Sequence, residues 1–351
     1  MTTIGVNVGD EFIREGILSF IDEIFPVYRP FYVNKHDLSS LYETRLDEVE
    51  ILSDKFSQSD IIIQAGAPVY WNWPWRGNVC YAADWAEELW YKRIFLLSKS
   101  KKILNIGAGA CQPFKDTSKT VSADKKCADF IRSVSEACIW VSVRDPLASE
   151  ILDDLSLPYE ALPCPAFHAA RKFKNNNPVY GNVVGVNLMP LSGHYKISDD
   201  YTEEQSLSFH FELVKKLRRN HQLIFIAHDG IEADYIKQFK ISDEIIFHSA
   251  NFRDYLSVYS QCRAVFANRV HGAVCAAGFG RPSVIVGNDS RIKIAEYIYI
   301  PYQYFPDANV DEVVDILESK MQSERNERER LISLRETSAR QYVEQMSKFI
   351  T

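Results

Sequence analysis

The feature that most constrains this chain is an alternation. Short apolar runs of strand length, each stopping at glycine, arginine or histidine, are separated by segments with helical spacing. The clearest case is Ala264-Val-Phe-Ala-Asn-Arg269-Val-His271-Gly272-Ala-Val-Cys-Ala-Ala277-Gly278-Phe-Gly280-Arg-Pro282. It predicts a buried strand over Ala264–Ala267 and a small-residue helix from about Gly272 to Ala277, stopped by Gly278 and Gly280. A second apolar strand then runs from Pro282 to about Gly287. In an open parallel α/β sheet the C-terminal strand ends face the ligand crevice, and a helix N-terminus there favours an anion. Arg269 supplies a planar fork of donors, and His271 gives or takes a proton near neutral pH. Arg269-x-His271 therefore reads as an anion site with an acid/base group beside it.

The alternation runs through both halves. Thr2–Val6 reads as a strand, and Asn7-Val-Gly9-Asp10 as a turn into helical spacing over Glu11–Phe25. That turn fits a phosphate cradle, or a plain βα turn with Asp10 favouring the helix start. Further strands are expected at Asp60–Gly66, Lys102–Gly109 and Cys138–Val143. The last ends at Arg144-Asp145-Pro146, with Asp145 and Pro146 as the N-cap and first position of a helix to Leu155. Arg171–Pro178 is polar and turn-rich and reads as a linker. The pattern then restarts at 182–188 and passes through a strand ending at His228-Asp229-Gly230, then a helix from Glu232 to Phe239. Val310–Ile350 is helical. The expected fold class is α/β, with two doubly wound Rossmann-like domains facing across a cleft. Its boundaries are 1–172, a linker at 173–181, a second domain at 182–335, and a C-terminal helix at 336–351 packing back on the first domain.

Five of the six tryptophans fall in one segment, which begins Tyr70-Trp71-Asn72-Trp73-Pro74-Trp75-Arg76. This run lacks periodicity and contains a proline, so it reads as a loop. Its rings would stack on sugar faces while Asn72 and Arg76 reach hydroxyls, or they pin their own loop. Both readings stand at the level of sequence. His228, at a strand end like His271, is likewise either a structural histidine or part of the same acid/base set.

Composition removes several classes of function. A net charge of −7 argues against a nucleic-acid surface and makes clustered arginines a local pocket. Met1-Thr-Thr-Ile-Gly5 carries no leader pattern, and no apolar run approaches the ~20 residues a membrane span needs. The seven cysteines are odd in number and unpaired by spacing, which fits reduced thiols and a cytoplasmic protein. Gly107-Ala-Gly109 lacks the third glycine and acidic residue of a dinucleotide fingerprint, which argues against NAD. No His-x-x-His, His-Glu-x-x-His or Asp-x-Asp group suggests a metal, and no Gly-x-Ser-x-Gly elbow suggests a serine hydrolase.

Arg269-Val-His271, Gly280-Arg-Pro282 and Asp289-Ser-Arg291 resemble the C-terminal signature of the polysaccharide pyruvyl transferases, in which lysine usually stands at the position of Arg291. Gly9-Asp10, Ser142-Val-Arg144-Asp145 with Ser149, and His228 extend the match over most of the chain in the same order. Many relatives have Asp where Cys164 stands. The resemblance implies a GT-B-like fold and no cofactor. It also implies phosphoenolpyruvate as donor substrate and a cyclic pyruvate ketal on two hydroxyls of a sugar, with phosphate released. The acceptor it implies is a glycan or a lipid-linked saccharide, with transient contact at the inner face of the membrane. Carried onto these residues, Arg269, Arg291, Lys293 and Gly272 would hold the donor. His271 would be the acid/base group, with Arg269, Arg144 and His228 beside it. Gly9, Asp10 and the aromatic run (Tyr70, Trp71, Asn72, Trp73, Trp75, Arg76) would face the acceptor. Two alternatives keep the same fold: a glycosyltransferase using a nucleotide sugar, and a catalytically idle protein that binds glycans or anions.

Overall fold

The computed structural model describes residues 7–33, 56–66, 68–72, 94–173, 182–191 and 201–350. The expected Thr2–Val6 strand, Trp73, Trp75, Arg76 and most of the expected linker lie outside the described residues. The first half holds β1 (Ile61–Ala65), β2 (Pro68–Tyr70), β3 (Lys102–Ala110), β4 (Trp140–Val143) and β5 (Glu160–Ala161). They pair in parallel in the order β1-β3-β4-β5, and β2 pairs with the far end of β3. The second half holds β6 (Val183–Asn187), β7 (Gln222–Ile226), β8 (Ile245–Phe247), β9 (Ala264–Ala267), β10 (Ser283–Gly287) and β11 (Tyr302–Tyr304). All are parallel, in the order β11-β10-β9-β6-β7-β8. The strand order reverses at β6/β9, and a ligand crevice is expected beyond the C-terminal ends of those two strands. Every residue of β9 and β10 is buried, as strands covered by helices on both faces require.

The longer α-helices among the described residues are α1 (Val8–Ile24), α2 (Lys125–Ala137), α3 (Pro146–Asp154), α4 (Glu203–Leu217), α5 (Gly230–Ile236), α6 (Phe252–Gln261), α7 (Val270–Gly278), α8 (Val310–Gln322) and α9 (Glu324–Ile350). Asp145 and Pro146 open α3 as their order predicts, the Asp145 carboxylate accepting from Ala148 N. Two starts differ from the sequence reading. Asn7, not Asp10, caps α1, its side chain accepting from Gly9 N, so Asp10 falls inside the first turn. Arg269 is the N-cap of α7, which puts His271 in that helix's first turn instead of at the strand end.

The halves are joined around a buried 3-10 segment, Pro165–Arg171. On one side α1 lies against it at Gly16, where a Cβ would stand 2.6 Å from the carbonyl carbon of Pro165. On the other, α7 approaches at Gly278, where a Cβ would stand 3.1 Å from the carbonyl carbon of Phe167. Only glycine lets both helices come this close. Helix α9 returns across the same junction: Tyr342 donates to Pro163 O at 2.9 Å and stacks on Phe20 with ring centroids 4.5 Å apart. One hydrophobic core therefore contains Phe12, Phe167, Val274 and Tyr342, drawn from both halves. A second stitch lies at the cleft floor. Gln112 N donates to Ser290 Oγ and Ser290 N to Gln112 O, both at 2.9 Å, beside a bridge between Pro113 and Asp289. Among the described residues, no helix is long and apolar enough to cross a membrane.

Candidate active site

The C-terminal ends of β4, β6, β7 and β9 face one cleft, and residues from both halves meet there. Arg144 follows β4 directly and is 1% exposed. Its Nη1 lies 3.2 Å from His271 Nε2 and 3.8 Å from Cys164 Sγ, and its Nε has no hydrogen-bond partner. Among the described residues no carboxylate lies within ion-pair distance of this guanidinium. Arginine can only donate, so Nε2 of His271 is the acceptor and the neutral ring carries its proton on Nδ1. Burial first, and then the Arg144 charge, push the His271 imidazole down to about 3, while Asp10 pulls the other way. Gly9, in the first turn of α1, closes over the same ring. A Cβ there would stand 2.9 Å from both Cβ and Cγ of His271. Gly9 and Asp10, expected on the acceptor side, thus bear directly on the acid/base candidate.

Arg269 and Arg291 differ from the open forks expected of them. Arg269 Nε donates to Glu232 Oε1, and its Nη2 donates to Asp229 Oδ2 at 2.6 Å. Arg291 grips Asp289 with two parallel bonds, Nε to Oδ1 at 2.8 Å and Nη2 to Oδ2 at 2.6 Å. Both arginines still contribute to the field at His271. Lys293 sits with its Nζ 5.1 Å from the centroid of Phe114, and its charge reaches Asp145. Asp145 is fully enclosed. Burial raises its carboxyl to about 6 against the N–H groups of Ala148 and Ala110 and the Arg144 charge.

His228 belongs to the same cluster. Its Nε2 is 2.7 Å from the hydroxyl of buried Tyr259, and its ring meets Phe12 edge-on. Burial, then Arg269 and His271, hold it well below the usual histidine range. Gly272 has a different place from the expected donor contact. Its N–H bonds to Arg269 O, and a Cβ there would stand 2.5 Å from Tyr259 Oη. It is glycine because the tyrosine needs that space.

Within the aromatic run, Tyr70 and Asn72 are enclosed by the first half and do not stand on an open loop. Tyr70 ends strand β2 and is 1% exposed within the first-half core, so its ring is closed to a sugar. Asn72 is buried, its N–H held by Gln112 Oε1 and its Nδ2 by Thr120 O, both at 2.9 Å. Trp71 is half-buried. Sequence reading missed Glu232, Asp229 and Asn187. The Asp229-x-x-Glu232 spacing was a readable helix-start signal. Nothing local, however, indicates that Glu232 turns away from its own helix toward Arg269. Among the described residues no group of three His, Cys, Asp or Glu side chains is gathered to hold a metal ion.

The fold is similar to that of S. aureus MnaA, solved with UDP, with a TM-score of 0.51 and 11% identity over 93% of this chain and 87% of that one. It is similar also to trehalose-6-phosphate synthase OtsA, with a TM-score of 0.50 and 10% identity over 78% of each chain. These likenesses establish the architecture as GT-B-like, two Rossmann-like domains across a cleft. A search of curated proteins gives no match. The family model for polysaccharide pyruvyl transferases matches residues 7–290, a span that begins at the cap of α1 and includes Arg144, His228, Arg269 and His271. The chain belongs to the polysaccharide pyruvyl transferase family.

Proposed function

We propose that this protein transfers the enolpyruvyl group of phosphoenolpyruvate to two hydroxyls of one sugar, in a glycan or lipid-linked precursor. The product is a pyruvate ketal, and phosphate is released. The observation that carries the reading is Arg144: a buried guanidinium with no carboxylate partner among the described residues, bonded across the domain boundary to a neutral histidine. Such a cation is poised for an anion brought by a ligand, and the donor carries two.

Burial is the first cause of the depressed His271 value and the Arg144 charge the second, so the donor's negative charge at Arg144 would offset that second cause and raise the imidazole from about 3. His271 then has a proton to exchange when it is needed. In the reaction, the vinyl carbon gains a proton and becomes a methyl group, and the neighbouring carbon accepts the first sugar oxygen as that hydroxyl loses its proton. The second hydroxyl attacks the same carbon, the C–O bond to phosphate breaks, and the second proton leaves with phosphate or solvent. Arg144, helped by the partly neutralised Arg269 and Arg291, stabilises the leaving phosphate.

The test is incubation with phosphoenolpyruvate and candidate glycans, reading phosphate release and the mass gain of a pyruvyl ketal on the acceptor. Thermal stabilisation by phosphoenolpyruvate and not by UDP supports the donor assignment. Stabilisation by UDP alone, with no phosphate release, overturns it. Arg144→Lys should lower turnover on the order of a hundredfold, because an ammonium lacks the fork that meets His271 and a ligand oxygen together.

A further inference from the structure

Glu232 is a carboxylate 1% exposed, sitting at the centre of the second-half strand ends. Oε1 accepts from Arg269 Nε, and Oε2 accepts from His228 N at 2.8 Å and from Asn187 Nδ2 at 2.9 Å. Asn187, fully buried at the end of β6, completes the frame. It donates to Ile226 O at 2.8 Å, and its Oδ1 accepts from Arg269 N at 2.8 Å. One carboxylate and one amide therefore tie together the ends of β6, β7 and β9, the three strands that bring His228 and Arg269 to the cleft. All three groups facing Glu232 are donors, so only a side chain that accepts on both oxygens satisfies them.

We infer that Glu232, braced by Asn187, is the positioning residue of this half of the site. It fixes the Arg269 fork and the backbone that carries His228 without touching substrate itself. Both of its oxygens are spent inside the protein. Asp229 adds a weaker hold from the solvent side through Arg269 Nη2 while capping α5. Arg269 is thereby held as an oriented dipole-like pair, not a bare cation. Arg144, by contrast, has no carboxylate within ion-pair reach among the described residues.

The inference rests on the donor reading above, so the test separates the two. Glu232→Gln keeps the shape but turns an amide nitrogen toward a donor. Titration with phosphoenolpyruvate should show affinity falling on the order of tenfold to a hundredfold, the range of one charge-assisted hydrogen bond. In turnover, the donor KM should rise and kcat should fall while the acceptor KM holds. A crystal structure of the variant should show the Arg269 guanidinium moved from its present place. Asp229→Asn, which retains a capping oxygen, should raise the donor KM several-fold, and it decides the matter if Glu232→Gln does not fold. Unchanged affinity with Arg269 in place overturns the inference. If the wild-type protein binds no phosphoenolpyruvate, the donor reading falls, and the position of Arg269 in the variant crystal alone judges Glu232.

Discussion

Gly9→Ala tests the site without removing any group that does chemistry. The added methyl would stand 2.9 Å from two carbons of His271 and closer still to Nδ1, where ordinary contact begins at 3.4 Å. The obstructing atoms include Cβ of His271, so a ring flip cannot relieve the clash, and the imidazole as a whole must retreat by roughly 0.5–1 Å. Its bond to Arg144 Nη1, now 3.2 Å, then lengthens or breaks. Misplacement on this scale costs about tenfold to a hundredfold in rate when it falls on an acid/base group. Helix propensity acts in the opposite direction, because alanine within α1 is favoured over glycine by about 1 kcal/mol. The expected outcome is a protein that melts close to wild type yet releases phosphate from phosphoenolpyruvate at least tenfold more slowly with acceptor present. Wild-type turnover in a folded Gly9→Ala protein would refute the placement of His271 at the reacting centre.

Other outcomes follow from the same contacts. His168 and His210 are fully buried and depressed, His210 to about 3, so the unfolded chain binds their protons first as pH falls below the ordinary histidine range. Stability should therefore be complete above pH 6.5 and decline below it, by up to about 1.4 kcal/mol per histidine per pH unit. Asp145, raised to about 6, opposes this between its ordinary value and pH 6, because its folded form holds a proton the unfolded chain has lost. Denaturant melts from pH 7 to 5 check the sign, and a flat profile contradicts it. Gly278→Ala drives a methyl into the Phe167 carbonyl and should cost about 1–3 kcal/mol, read as a lower melting temperature. Arg291→Lys should keep turnover within about tenfold, since one bond to Asp289 survives and lysine is usual at this position in relatives; a hundredfold loss would show that the two-bond grip is needed.

What the sequence made legible was whatever depends on neighbours along the chain. The apolar runs at 183–187, 222–226, 264–267 and 283–287 became strands, and Asp145-Pro146 opened a helix, because periodicity and capping are local. Arg144 and Arg269 follow strand ends for the same reason, while His271 fell one turn further, inside α7. Tyr70 was misjudged because strand β2 exists only through pairing with residues 109–110, some forty positions away. Asp289 beside Arg291 was visible as two letters, but a two-bond grip is a matter of rotamers. The partnership of Glu232 with Arg269 joins the ends of different strands, so no window of sequence contains it.

The short buried rod at Pro165–Arg171 also sets how the molecule can open. Helices from opposite halves press their glycines onto its carbonyls, and α9 straps the far side through Tyr342. Swinging the halves apart like a jaw would strip both contacts at once. Traffic into the cleft should instead depend on side chains at its rim and on slight rolling about that rod. A disulfide pinning the two halves at their outer edges should therefore slow catalysis far less here than in a protein whose lobes close on a free hinge.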